Sequence, residues 1–383
     1  MTIPPPDVGS VSVVLVEERS HVRDFLGVPH RVHADDPAWI PPLVLEQRHR
    51  VFHNAPFLRH ARTRAWVAYR DGRPAGRITA QLDRLQPPQD GLPVGYFGML
   101  DASEDASVFS ALTRAAENWL RDQGAGWIRG PYNLSINEEV GLLVENFEAP
   151  PFFMMGHARP YYADQLRQQG YEGVRDLLTY HITSEGYQPS RTLQRLSAGT
   201  GREVTVRPLN RGAKSMDFEV MRDIFNDGWS ANWGFVPFTR DEFAELGRML
   251  SLFLDHRFVQ IAEVNERPVA FIVALPNLNE VLADLNGQLL PFGWLRLLWR
   301  ARVSGLASGR VALMGIRREY QHTRLGPALA FMVIDAAARA MIDRGMRQFE
   351  LGWILEDNSG MRHMIEDVGG SLYKRYRIYQ KQL

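Results

Sequence analysis

Short apolar runs with strand-like alternation are separated along the chain by stretches of helical periodicity, and the same order occurs twice. In the first half, residues 11–16 read as a strand. Residues 65–69 and 75–83 alternate on either side of Asp71-Gly72, a strong hairpin signal. A strand over 94–100 precedes a helix over 107–123, with Ser107 as its N-cap and Gly124 as its stop. A short strand over 126–130 follows. Pro160-Tyr161-Tyr162 opens a helix ending near Gly170, and 177–182 is the last strand of this half. Between the first strand and the hairpin, 25–45 carries Asp36-Pro37-Ala38-Trp39-Ile40-Pro41-Pro42-Leu43. Its prolines fix φ, so it reads as a stiff segment packing across the domain.

Residues 185–203 are polar, with Ser, Gly and Pro, and read as a linker. The order then repeats. A strand over 204–209 and a helix over 218–229 lead to a hairpin, 258–264 and 269–275, across Asn265-Glu266-Arg267-Pro268. A greasy, basic insertion spans 286–303. An apolar strand, 311–316, enters a polar turn, 317–324, and then a helix, 328–344, with Pro327 in its first turn and Gly345 as its stop. Strands over 350–355 and 373–379 complete the pattern. The fold class is α/β in the α+β sense: two tandem domains, each a mixed, mostly antiparallel sheet flanked by helices. The expected boundaries are 1–185, a linker at 186–203, and 204–383.

Length and composition suit two globular domains: 383 residues, 45% hydrophobic. Lys plus Arg equals Asp plus Glu at 44 each, so no global basic field recruits nucleic acid. With no cysteine, disulfides, thiolate metal sites and a Cys nucleophile are excluded. Met1-Thr2-Ile3-Pro4-Pro5-Pro6-Asp7 has neither a basic start nor an apolar core, so no signal peptide is expected. No apolar run reaches the ~20 residues of a membrane span. The expected location is cytoplasmic, including the inner face of the membrane. His53 and His60 lie seven apart with no third ligand nearby, so no metal site is expected.

The turn at 317–326 carries the chemistry. A strand-to-helix turn stacks backbone N–H groups at a helix N-terminus, where they and the helix dipole favour an anion. Gly326 permits close approach of a ligand, and Arg317, Arg318 and Arg324 add cations.

Residues 316–329 resemble the acyl-CoA pyrophosphate loop of the GNAT N-acyltransferase superfamily, Gln/Arg-x-x-Gly-x-Gly/Ala between a strand and a helix. Gln321, Arg324 and Gly326 hold the three key positions, with Arg324 in place of the first glycine. Glu350-Leu351-Gly352-Trp353-Ile354-Leu355-Glu356-Asp357-Asn358 resembles the next element, a strand that splays from its neighbour before an Asn-headed helix. The resemblance implies acyl-CoA as co-substrate, no tightly bound cofactor, and an acyl-CoA site formed by Gly315, Ile316, Gln321, Arg324, Gly326 and Asn358. It gives Asn358 a contact with the pantetheine arm. Ile365 stands where many members place a tyrosine general acid. No glycine-rich loop precedes Ser107; Asp101-Ala102-Ser103-Glu104-Asp105 stands there, and its acids would repel a pyrophosphate. The first half is therefore expected to have kept the fold without a pyrophosphate loop.

Three further segments supply candidates. In 130–139, Asn137 and Glu139 are expected to bind or deprotonate an amine, set against a plain capped turn. In 225–235, the aromatic rings interleaved with Asn suggest a pocket wall of Asn226, Trp229 and Trp233, set against simple packing. The insertion, with Trp294 among Leu and Arg at helical spacing, suits an interfacial helix over 289–302, set against an ordinary packed one. N-acyl transfer needs a proton acceptor for the amine, donors for the thioester oxygen and held reactants. Glu356 is the first candidate base and Glu139 the second; a backbone donor is expected from 313–316.

The full-length pattern resembles a tandem GNAT subgroup that includes bacterial ceramide synthases. Its marks are the 36–42 segment, Gly130-Pro131 to Asn137, Pro160-Tyr161-Tyr162, Asn286-Gly287 to Pro291, Trp353 to Asn358 and Lys374-Arg375-Tyr376-Arg377-Ile378-Tyr379. The resemblance implies acyl transfer from acyl-CoA, or from an acyl carrier protein, to a long-chain amine such as a sphingoid base. A small-amine N-acetyltransferase and a non-catalytic lipid- or acyl-CoA-binding protein are the alternatives.

Overall fold

The computed structural model describes residues 10–53, 55–199 and 203–383. The leaderless reading of the first residues and part of the expected linker fall outside these. The chain forms two compact units. One comprises the described residues up to Asp176 together with Leu285–Leu289 and Arg375–Leu383; the other comprises Leu177–Asp284 and Leu290–Lys374.

The first unit opens with β1 (Val11–Leu15), α1 (Arg19–Val32) and α2 (Val44–Phe52). The first part of the expected stiff segment is thus helical. Its prolines are concentrated after Asp36, so the apolar face of α1 decides its conformation, burying Phe25, Leu26 and Val28. β2 (Ala61–Arg70) and β3 (Arg73–Asp83) pair as the predicted hairpin. Asp71 and Gly72 both take positive φ, 50° and 72°, the twist a two-residue turn requires. β4 (Val94–Ala102) leads to α3 (Ala106–Asp122). The cap of α3 is Asp105 rather than Ser107: its carboxylate accepts the Ser107 N–H at 2.8 Å. β5 (Trp127–Gly130), β6 (Leu142–Glu145), α4 (Tyr162–Gln168) and the start of β7 (Glu172–Thr183) follow. The sheet order is β1-β2-β3-β4-β5, and the C-terminal tail extends it, with Tyr379 opposite Gly130.

The second unit contains the rest of β7, then α5 (Arg191–Ala198), a helix within the expected linker whose buried Leu193 anchors it to the core. Next come β8 (Val204–Pro208), α6 (Lys214–Trp229) and α7 (Arg240–Ser251). The pattern reading passed over α7, although Thr239 and Glu242 form a complete capping box at its start. β9 (Val259–Val264) and β10 (Arg267–Pro276) form the second hairpin. α8 (Asn279–Leu282) precedes the insertion, and α9 (Gly293–Trp299) lies within it. β11 (Ser308–Ile316), α10 (Arg318–Gln321), α11 (Leu325–Asp343), β12 (Gln348–Leu355), α12 (Ser359–Asp367) and β13 (Ser371–Gln382) complete the chain. Within this unit the order is β7-β12-β11-β10-β9-β8. α11 is long and apolar enough to cross a membrane by length and composition, yet it is the core helix here. Leu329, Phe331, Val333, Ile334 and Met341 pack among Ala262, Ala270 and Ile272 of the sheet. Ile365, 2% exposed, belongs to the same core.

Candidate functional site

The site of the second unit forms where two parallel strands part. β11 and β12 pair from Ser308↔Gln348 to Val311↔Leu351 and no further. Beyond that point β11 stays on β10, and β12 stays on β7. Each strand is irregular at this level. On β11 the register slips past Ala312, and on β12 it slips between Leu351 and Ile354. Such bulges bend strands and increase local twist, so a pair of them opens a wedge. A Cβ on Gly352 would lie 2.8 Å from Thr179 Cγ2, which is why glycine stands at the bend.

Trp229 touches both sides of the wedge. Its indole N–H donates to the Met314 carbonyl of β11 at 2.8 Å, and its ring meets Trp353 of β12 edge-on at 5.8 Å. Phe225 stacks beneath it at 5.2 Å. Asn226, by contrast, clamps backbone: its side-chain amide gives and takes hydrogen bonds with Phe238 at 3.0 and 2.9 Å. Trp233 is half-buried in the segment that follows α6.

The turn after β11 is braced from within. Gln321 Nε2 donates to the Gly228 carbonyl at 2.8 Å and to the Ile316 carbonyl at 2.9 Å. Arg317 pairs with Asp223 at 2.8 Å, and the Arg318 N–H donates to Asp227 at 2.9 Å. Thr323 takes up the first amides of α11: Leu325 N–H reaches its hydroxyl at 3.2 Å and Gly326 N–H its carbonyl at 3.3 Å. Pro327 has no N–H to offer. A Cβ on Gly326 would sit 2.5 Å from the Tyr320 carbonyl, so its first task is close backbone packing. A Cβ on Gly315 would sit 2.7 Å from Phe271 Cε1. Arg324, at the N-cap position of α11, is exposed and holds no ion pair among the described residues. It presents a cation to solvent at the start of the helix.

At the far end of β12, Glu356 is half-buried and its carbonyl accepts from Arg362 Nη1 at 2.9 Å. Arg362 Nε also donates to the Tyr180 hydroxyl at 3.0 Å. Asn358 caps α12: its Oδ1 accepts the Met361 N–H at 3.1 Å. Trp294 of α9 is 44% exposed and donates to the Pro291 carbonyl at 3.1 Å. Its neighbours Leu290, Phe292, Leu295 and Trp299 are exposed too, while Leu297 anchors the helix inward.

One cluster went unpredicted. Glu350 is fully buried on β12, opposite Arg310 of β11, with Arg310 Nε 3.5 Å from its Oε1. Buried Lys374 faces it as well. Burial pushes the Glu350 carboxyl up to about 7, against the pull of Arg310 and Lys374. The signal was available: a carboxylate inside the apolar run Phe349-Glu350-Leu351 marks a buried charge that needs partners.

In the first unit, Asn137 and Glu139 lie in a braced turn. The Asn137 N–H donates to Ser135 Oγ at 3.0 Å, and Asn133 Nδ2 donates to Glu139 Oε2 at 2.8 Å. Their neighbour Glu138 pairs with Arg50, and burial pushes its carboxyl up to about 7 despite that cation. Two of the acids before α3, Asp101 and Asp105, have structural roles. Asp101 is buried against Arg77 and His33, and Asp105 is the cap described above.

Two such units in tandem, one with a parted strand pair leading into a braced turn and a long helix, define the class of fold: a tandem GNAT fold. No family model matches the sequence. The chain is 45% identical to the Escherichia coli (strain K12) protein YghO over 365 residues, 95% of this chain and 94% of that one. It is 40% identical to the bacterial ceramide synthase of Caulobacter vibrioides over 375 residues, 97% of this chain and 98% of that one. The tandem GNAT protein from the clavulanic acid biosynthesis pathway shares its fold, with a TM-score of 0.56 over 97% of this chain and 98% of that one at 14% identity. The chain belongs to the family of YghO and the bacterial ceramide synthase.

Proposed function

We propose that the protein transfers a fatty acyl group from acyl-CoA to the amine of a long-chain base, a sphingoid base in the first instance. The observation that carries this reading is the full-length 40% identity to a bacterial ceramide synthase. The exposed apolar side chains around α9 are consistent with a lipid substrate presented at a surface. GNAT folds take an acyl-CoA as co-substrate. In this reading the pantetheine arm enters the wedge between β11 and β12, and Arg324 meets a phosphate. The amine nitrogen attacks the thioester carbonyl, forming the C–N bond. A backbone N–H of 313–316 steadies the oxygen as it becomes anionic. Glu356 accepts the amine proton, the C–S bond breaks, and CoA leaves as the thiolate, which takes a proton from solvent. Arg310 acts as a positioning residue, because its Nη2 donates to the Gly352 carbonyl at 2.9 Å where the strands part.

The test is free thiol release from purified protein given acetyl-CoA or palmitoyl-CoA, with and without a sphingoid base. Release only with the long acyl chain and the base together supports the reading. Release with acetyl-CoA and small amines replaces it with a small-amine acetyltransferase. Lipid binding with no release under any pairing, carrier-protein donors included, replaces it with a binding protein.

A further inference from the structure

The proline-rich segment after α1 ends in chemistry that acyl transfer does not use. His33 closes α1, and its side chain is fully buried. Its ring stacks on Trp39 at 5.1 Å with the planes 12° apart, so the 36–42 segment fixes its orientation. His33 Nε2 lies 3.0 Å from Oδ1 of Asp101, which Arg77 Nε holds from the other side at 2.8 Å. A carboxylate paired with a guanidinium only accepts, so in the neutral ring the proton sits on Nε2 and Nδ1 is left as a lone pair.

That buried Nδ1 has no hydrogen-bond partner. It faces Oδ2 of Asp36 at 3.9 Å. His157, 3% exposed and 121 residues further along, brings its Nε2 to 2.9 Å from the same oxygen. The other Asp36 oxygen accepts the Ala38 N–H at 3.0 Å, which fixes the carboxylate. A lone pair and a carboxylate facing each other in a buried space call for a positive charge between them. Arg159 stands at the rim, 3.5 Å from Asp36 and 3.2 Å from exposed Asp35, and can keep Asp35 as its partner.

We propose that His33, Asp36 and His157 bind a divalent transition-metal ion, zinc by preference. Their donor atoms lie within 4.8 Å of one another. The two distances from Asp36 bracket the ligand spacing of about 3.3 Å that a tetrahedral ion with bonds near 2.0–2.1 Å requires. Two imidazoles and one carboxylate suit zinc, with water as fourth ligand. The Asp101–His33 bond is the outer-shell carboxylate that metal-bound histidines usually carry, and Arg77 anchors it. The ion joins the end of α1 to the segment before α4. His33 and Asp36 are three residues apart but His157 lies 121 residues beyond Asp36, so a motif search passes over the set.

The experiment uses untagged full-length protein, stripped with a chelator and titrated with zinc and with cobalt. The expected result is one ion per chain, visible d–d bands with cobalt, and a thermal midpoint that rises until one equivalent is bound. Asp36→Asn and His157→Asn should each weaken binding at least ~100-fold, and Asp101→Asn by ~10–100-fold. His53→Ala should leave it unchanged. Each variant is compared by circular dichroism with the stripped wild type. If stripped wild-type protein takes up neither metal, the space is bridged by a proton and the proposal is overturned. Uptake that persists undiminished in both Asp36→Asn and His157→Asn overturns it equally.

Discussion

Arg310 and Glu350 face each other across the last rungs of the β11–β12 ladder, and the same guanidinium reaches forward to the Gly352 carbonyl where the ladder ends. One ion pair thus joins the closed part of the sheet to the start of the wedge.

Glu350→Gln should change how stability depends on pH. An unfolded glutamate ionises near 4.5, whereas burial holds Glu350 near 7 in the fold. Between those values the unfolded chain binds fewer protons than the folded one, so wild-type stability falls as pH rises from about 4.5 to about 7. The full effect is at most about 3 kcal/mol. Glutamine does not titrate, so the variant's denaturant midpoint should stay flatter over that window. An unchanged slope would mean that Glu350 is not held near 7.

Arg310→Met should destabilise by roughly 3–5 kcal/mol, because it leaves a buried carboxylate short of a cation. It also removes the donor to Gly352. Urea unfolding at pH 7.5 measures the first effect. The KM for acyl-CoA should rise even in protein that remains folded at low temperature.

Arg324→Glu and Gly326→Ala separate binding from packing. Arg324 is exposed and unbraced, so reversing its charge should weaken acyl-CoA binding about tenfold or more with a melting midpoint near that of wild type. Unchanged affinity would remove the turn from the cofactor site. At Gly326 the new methyl would meet the Tyr320 carbonyl, so affinity and stability should fall together, stability by roughly 1–3 kcal/mol.

Trp229→Phe keeps an aromatic ring over Phe225 and loses the bond to Met314. A loss of about 1 kcal/mol in stability is expected, with a larger loss in acyl-CoA affinity. Fluorescence quenching by the ligand and calorimetry check the two parts.

Phe292→Glu with Trp299→Glu places charge on the exposed face around α9, where both side chains are more than half exposed. Stability should change little, and co-sedimentation with anionic lipid vesicles should fall. Arg296 contributes less to such binding than the sequence implies, because it is paired with Asp284 at 2.6 Å. Wild-type protein that never sediments with vesicles would refute the surface role.

The repeated order of hairpins, strands and helices was legible from the sequence because strand and helix periodicities are local. So were the turn at Asp71-Gly72 and the polar run between β11 and α11, since turn residues act through their own backbone. Locality also explains what the pattern mistook. Asp105 rather than Ser107 caps α3, a difference of two positions, and the amphipathic face of α1 outweighed the prolines beyond it. Only tertiary structure could decide the rest. The wedge depends on two irregularities falling at one level of neighbouring strands, Ala312 on one and Gly352-Trp353 on the other. Glu350 meets Arg310 across forty positions, and His157 meets Asp36 across 121. Pairing at such distances is chosen by burial, because a charge taken from water must find its partner wherever the fold places one.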